Sequence, residues 1–156
     1  MPGTRLRGWD VLGTRLAVPI CMDLTYWEPV RLAVHGGAEL LVSPAANTGA
    51  YNAALERRGG WGRVQETPAY ALFAAMTGNL GPLLFRARSA VYAPLELTPR
   101  RDGIVAQART AHRQEVVIAH CDLAALRRFK AARPAAPNPA LYRRYLPDLY
   151  DGDPAR

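Results

Sequence analysis

Cys21 closes an apolar run in "AVPICMDLTYWEPVRLAVHGG", with Asp23 and Glu28 just behind it and Arg31 three positions after Glu28. A thiol at the end of a strand, entering a turn before a helix, sits where an α/β protein exposes a nucleophile. The turn frees the sulfur, and the next backbone N–H, here that of Met22, can face a developing oxyanion. The same pattern also fits a small core residue packed among apolar neighbours. Cys121 stands far downstream without CxxC or Cys/His spacing, so neither a disulfide framework nor a zinc knuckle is indicated and reduced thiols are expected. His35, His112 and His120 show no ligand-like spacing, and adjacent His120 and Cys121 would point to opposite faces of a strand. No metal and no cofactor is expected. Ser89 lacks a nearby His–Asp arrangement and reads as a strand serine.

The elements that must position Cys21 follow from pattern. Residues 15–22, "RLAVPICM", read as a buried strand that Pro19 makes irregular or confines to a sheet edge. "EPVRLAVHGG" reads as a short helix with proline in its first turn and two glycines to end it. "AELLVSP" reads as a second buried strand stopped by Pro44, and strand, helix, strand implies a parallel crossover. Residues 46–62 look like a loop with a helical turn inside. "AYALFAAM", "RSAVYAPLEL", "GIVAQAR" and "EVVIAHCDL" have strand character, the last three antiparallel, with "TPRRDG" a turn. Asp122 is placed to cap a helix over "DLAALRRFKAAR", which ends in basic residues. The stretch from 134 is proline-rich, and its Tyr142, Tyr145, Leu146 and Tyr150 suit packing on this chain or on a neighbouring subunit. No internal repeat is present.

With 156 residues, 49% hydrophobic and 21% charged, the chain suits one globular domain with a proper core. No apolar stretch approaches the roughly 20 residues of a membrane span, and the first residues lack the apolar centre of a signal peptide, so a cytoplasmic protein without membrane contact is expected. The net charge of +7 comes almost wholly from arginine, Lys130 being the only lysine. Those arginines are scattered singly or in pairs without interleaved stacking aromatics, which argues against specific nucleic-acid binding.

The segment around Cys21 resembles the nucleophile region of the nitrilase (carbon–nitrogen hydrolase) superfamily, where an apolar strand ends in Ile-Cys-x-Asp and a Glu and an Arg follow. Ile20, Cys21, Asp23, Glu28 and Arg31 fall at those positions. The similarity continues through "GGAELLVSPAA", Trp61, and "RVQETPAY" with Arg63, Glu66 and Tyr70. It reappears in "FRARSAVYAP" at Phe85, Ser89 and Pro94, then in "EVVIAHCDLAALRRFK" and "YRRYLPDLY". Spacing kept over about 130 residues outweighs the weakness of each motif. Departures are a proline after Glu28 instead of before it, Thr67 for the family's Asn, Ala87 for its Gly and Ala93 for its Asp.

The resemblance implies a partial αββα sandwich, with residues 1–133 a partial carbon–nitrogen hydrolase domain and 134–156 a proline-rich extension. It implies Cys21 as nucleophile, Met22 N–H at the oxyanion, and Asp23, Glu28, Arg31 and Glu66 as supporting residues. The family's Glu base and Lys precede its cysteine by more residues than stand before Cys21, so they are expected outside this sequence. Lys130 falls in the last helix, as a helix-end charge. The expected substrate is a small non-peptide amide or nitrile, with little turnover by this chain alone. A homo-oligomer or a complementary Glu/Lys-bearing chain is expected, because half a sandwich exposes sheet edges and apolar faces. The alternative is a nitrilase-like binding or assembly subunit without chemistry.

Overall fold

A computed structural model describes residues 5–133 and 138–147. Its centre is a six-stranded mixed sheet in the order β1 (Gly8–Val11), β2 (Thr14–Ala17), β3 (Leu40–Ala45), β4 (Tyr70–Ala75), β7 (Ala90–Tyr92), β8 (Ile104–Gln107), with a separate hairpin of β5 (Gly78–Leu80) and β6 (Leu83–Phe85). Strands β1 (Gly8–Val11) and β2 (Thr14–Ala17) pair antiparallel across Leu12 and Gly13, whose φ values of 50° and 80° are both positive. That is the backbone of a two-residue hairpin turn, and it places a leucine where Asn or Gly is usual. The strand expected over 15–22 is therefore shorter and part of a hairpin: β2 ends at Ala17, ahead of Pro19, which has no N–H for a ladder. Nor is β2 an edge, since β1 covers one side and β3 the other.

The crossover after Cys21 is as expected. Helix α1 (Trp27–His35) carries Pro29 in its first turn and buries Val30, Ala33 and Val34; the Gly36 N–H closes it on Leu32 O at 2.9 Å. Gly37 then turns the chain with φ 91°, a region open to glycine. Strand β3 (Leu40–Ala45) runs parallel to β2 and to β4 (Tyr70–Ala75). Contrary to the sequence reading, β3 passes through Pro44 instead of stopping there. Its pairing with β2 involves only Leu40 and Leu41, so Pro44 lies beyond that ladder and its missing N–H breaks nothing.

Residues 53–66 form α2 (Ala53–Glu56), a π turn over Arg57–Trp61 and α3 (Gly62–Glu66). Strands β5 (Gly78–Leu80) and β6 (Leu83–Phe85) pair with each other; β7 (Ala90–Tyr92) and β8 (Ile104–Gln107) extend the main sheet antiparallel. Helix α4 (Leu123–Ala131) has the expected cap, Asp122 accepting from the Ala125 N–H at 2.8 Å. A short α5 (Pro139–Tyr145) lies in the stretch read as extension, with Tyr142, Tyr145 and Leu146; Tyr150 falls outside the described residues.

"EVVIAHCDL" is the clearest difference. Residues 115–121 alternate in burial as a strand does, Val117, Ala119 and Cys121 packing inward while Val116 and Ile118 stay 83% and 86% exposed. They pair with no described strand, and extended backbone without a ladder partner is not a strand.

The core lies on both faces of the sheet. Leu24, Val30, Val34, Leu41, Val64, Phe73 and Tyr92 join on the face that α1 and α3 cover. Tyr70, Val91, Ala93 and Leu126 form the second cluster, under α4 and residues 117–121.

Candidate active site

After Ala17 the buried Pro19 leads into one 3-10 turn, Cys21–Thr25, whose Leu24 is anchored in the core at 1% exposure. The turn is tied from inside. The Ile20 N–H donates to Asp23 Oδ2 at 3.1 Å, the Asp23 N–H returns to Ile20 O at 3.0 Å, and Thr25 Oγ1 donates to Met22 O at 2.7 Å. Within this frame Cys21 is held at φ 49°, one of three non-glycine residues with positive φ in the described chain. A side chain in that region costs about 1–2 kcal/mol and persists only where its surroundings impose it, a pattern concentrated at functional sites. Cys21 therefore opens a helical turn on a strained corner, separated from the end of β2 by Val18, Pro19 and Ile20.

A cavity of about 70 Å³ opens at this corner, lined by Cys21, Met22, Ala45, Asn47, Leu55, Glu56, Arg58, Gly59 and Phe73 among others. The end of β3 supplies Ala45, β4 supplies Phe73, and α2 with its π turn forms the opposite wall. That wall fits closely because residue 60 is glycine: a Cβ there would meet Leu24 Cδ2 at 3.1 Å and Tyr92 Cδ2 at 3.2 Å.

Glu56 is the one acid in the lining, and it is buried. Its Oε1 accepts the Arg88 N–H at 2.7 Å; Oε2 accepts Tyr51 OH at 2.9 Å and Gln107 Nε2 at 3.5 Å, and lies 3.4 Å from Arg88 Nη2. Arg88 Nη2 also donates to Tyr51 OH, and its guanidinium stands 5.0 Å from the Tyr51 ring. Burial, then the Glu56 carboxylate, pushes the Tyr51 phenol up from its ordinary value. With both oxygens engaged, Glu56 serves as a brace for the cavity wall.

Of the residues singled out by sequence, Cys21 and Met22 share the cavity. Met22 lies in the first turn of a helix, where backbone N–H groups have no acceptor within the helix. Asp23 turns back on Ile20 and holds the corner instead of lining the cavity. Glu28 is exposed on α1, and Arg31 on the same helix stacks 4.8 Å above Trp27; neither lines the cavity. Glu66 is also outside it, paired with Arg63 at 3.2 Å. Trp61 donates Nε1–H to Asp102 O at 2.7 Å and fixes the end of the π turn. Sequence reasoning passed over Asn47, Tyr51, Glu56 and Arg58. The Asn52 side chain, which caps α2 by accepting from the Ala54 N–H at 2.9 Å, was the signal for that wall.

Lys130 sits on α4, away from this cavity; burial first, and Arg127 with it, holds its amine below the usual lysine value. Burial pushes the Cys121 thiol up. No group of three or more potential metal ligands occurs among the described residues. No described helix is long and apolar enough to cross a membrane.

No family model matches the chain. A probable hydrolase of Bacillus subtilis (strain 168) is 28% identical over 130 residues, which is 81% of this chain and 25% of that protein. Among solved structures, the amidase of Nesterenkonia AN1, from the nitrilase superfamily, aligns with TM-score 0.68 and 22% identity over 94% of this chain and 50% of its own. A second structure of that amidase, also at TM-score 0.68 and 22% identity with the same coverage, carries the acetamide moiety of fluoroacetamide on its active-site cysteine. The chain spans about half the length of that amidase and a quarter of the Bacillus protein. This chain thus has the mixed α/β fold seen in nitrilase-superfamily amidases, over about half the length of the amidase it matches.

Proposed function

We propose that this chain is the cysteine-bearing half of a carbon–nitrogen hydrolase acting on a small non-peptide amide or nitrile. The observation that carries the reading is Cys21 at φ 49° on the corner between β2 and the Cys21–Thr25 turn, facing a cavity. The relatedness to a probable hydrolase and the nitrilase-superfamily amidase fold supply the chemical class.

In the amide reaction the Cys21 thiolate adds to the carbonyl carbon and the carbonyl oxygen takes the negative charge, which the Met22 N–H binds in this reading. The C–N bond then breaks, ammonia leaves with the proton given up by the thiol, and a thioester remains. Water adds to that thioester, releasing the carboxylic acid and restoring the thiol.

The step needs a group that carries the proton. Glu56 is the acid at the cavity, and both its oxygens are committed to Tyr51, Arg88 and Gln107; no lysine lines the cavity. This favours a base and a cation supplied by a complementary Glu/Lys-bearing chain, whereas a homo-oligomer of this chain alone would cover its exposed edges without supplying them. It also favours little turnover by the chain alone, in which state the chain acts as a nitrilase-like binding or assembly subunit. Two free thiols suit a reducing compartment such as the cytoplasm.

The test is labelling by fluoroacetamide, read by mass spectrometry at each cysteine. Modification of Cys21 while Cys121 stays untouched is the expected result. Equal reactivity at both sites, or an inert Cys21, would overturn the assignment of Cys21 as the nucleophile.

A further inference from the structure

A second concavity lies across the Glu56 brace. It measures about 510 Å³ and is lined by Ala50, Tyr51, Leu84, Arg86, Arg88, Arg109, Thr110, Ala111 and His112. Three guanidinium groups from two stretches of the chain line it with an imidazole and two hydroxyls, and no carboxylate is in the lining. Two carboxylates reach these arginines from outside it: Glu56 holds Arg88 at 3.4 Å, and Glu115 holds Arg109 Nε at 3.2 Å. Arg86 donates Nη1–H only to carbonyls, Phe85 O at 2.9 Å and Gly78 O at 3.4 Å, and has no carboxylate partner among the described residues. Arg88 Nε and Thr110 Oγ1 are buried without a hydrogen-bond partner. Buried polar atoms are nearly always satisfied, so these two mark the wall of the groove as short of acceptors.

We infer that this groove binds the oxyanion end, carboxylate or phosphate, of a small organic molecule whose apolar part rests on Ala50, Leu84 and Ala111. The guanidinium fork matches two oxygens at once, which a lysine cannot do, and Arg86, without a carboxylate partner among the described residues, has its fork available for them. The size is that of a pocket for a whole small molecule, beyond a lone ion. The inference stands independently of chemistry at Cys21, since no lining residue belongs to the Cys21 cavity.

The test is calorimetric titration of the full chain at low ionic strength with two probes, glutarate and inorganic phosphate. One-site binding of at least one probe is expected, weakened about tenfold or more in Arg86→Ala and less in Arg86→Lys, as for loss of a charge-assisted hydrogen bond. Added salt weakens it further. Tighter binding of glutarate identifies a carboxylate ligand, and tighter binding of phosphate a phosphoryl one. Arg109→Ala, read the same way, covers the case in which the Arg86 variants fail to fold. Absence of saturable binding by both probes, or binding unchanged in the Arg86 and Arg109 variants, would overturn the inference.

Discussion

Arg127 grips Glu39 with two parallel bonds, Nε to Oε1 and Nη2 to Oε2, each 2.7 Å long, and so fastens α4 to the start of β3. Thr14 Oγ1 adds a bond to Oε2 at 2.9 Å, and Arg127 Nη2 also reaches Gly13 O at 2.8 Å, drawing the β1–β2 hairpin turn into the same knot. The hydrogen bond from Arg127, opposed by burial and helped by Thr14, holds the Glu39 carboxyl below its usual value. A depressed carboxylate stabilises the fold above its unfolded pKa, and that contribution fades as pH falls through the folded value. Arg127→Ala is therefore expected to lower the thermal midpoint clearly at neutral pH and by less once Glu39 is protonated, when only the bond to Gly13 O is left to lose. Melting curves of both proteins across the acid range check this.

The strain at Cys21 is measurable without any substrate. Cys21→Gly and Cys21→Ala both remove the sulfur, but only glycine is at ease at φ 49°. The glycine variant should be more stable than the alanine variant by about 1 kcal/mol in denaturant unfolding.

Gly60 tests how tightly the cavity wall is fitted. A side chain there meets Leu24, Tyr92 and Ala71 within 3.4 Å. Gly60→Val is expected to cost about 1–3 kcal/mol by overpacking and to change the alkylation rate of Cys21, which shares its turn with Leu24. Denaturant unfolding and timed labelling check the two effects separately.

Removing the brace has a different signature. Glu56→Ala leaves the Arg88 N–H without its acceptor, which is expected to cost about 1–3 kcal/mol in thermal or denaturant unfolding. Tyr51 also loses an acceptor that holds its phenol up, so its titration, followed by ultraviolet absorbance, should move down towards the ordinary tyrosine value.

Leu126 is the fully buried residue that seats α4 on the second core cluster. Leu126→Ala is expected to destabilise by about 2–5 kcal/mol, the usual range for a leucine truncated in a packed core, as read from denaturant midpoints.

The surroundings of Cys21 were legible because local signals agree there: an apolar run, proline in the first turn of α1, and Gly36 and Gly37 to end it. Those features act within a few residues, and β2, α1 and β3 appear in the order and parallel sense they imply. The hairpins were not legible. The turn at Leu12–Gly13 lacks the usual residue pair, and the short strands β1 and β5 expose most of their residues, which leaves no period-2 pattern. Residues 115–121 show the reverse failure, since their alternation is genuine but the partner that would make them a strand is not among the described residues. The Glu56 brace joins residues from different stretches of chain, Tyr51, Arg88 and Gln107, and one sequence carries no trace of such meetings. Glu28 and Arg31, which the resemblance implies as supporting residues, lie on α1 and are not in the lining of the cavity.

The joints of the sheet are unequal. β3 and β4 are in register from Leu40↔Tyr70 to Ala45↔Ala75, whereas β2 meets β3 only at Leu16↔Leu40 and Ala17↔Leu41. The strand that delivers the chain to Cys21 is thus attached through the shortest seam beside the longest. That seam is expected to open first, so amide protons of β1 and β2 should exchange with solvent ahead of those of β3 and β4. The corner that carries Cys21 is then mounted on the strand with the shorter attachment, and a ligand held at that corner would slow the exchange of a hairpin it does not touch.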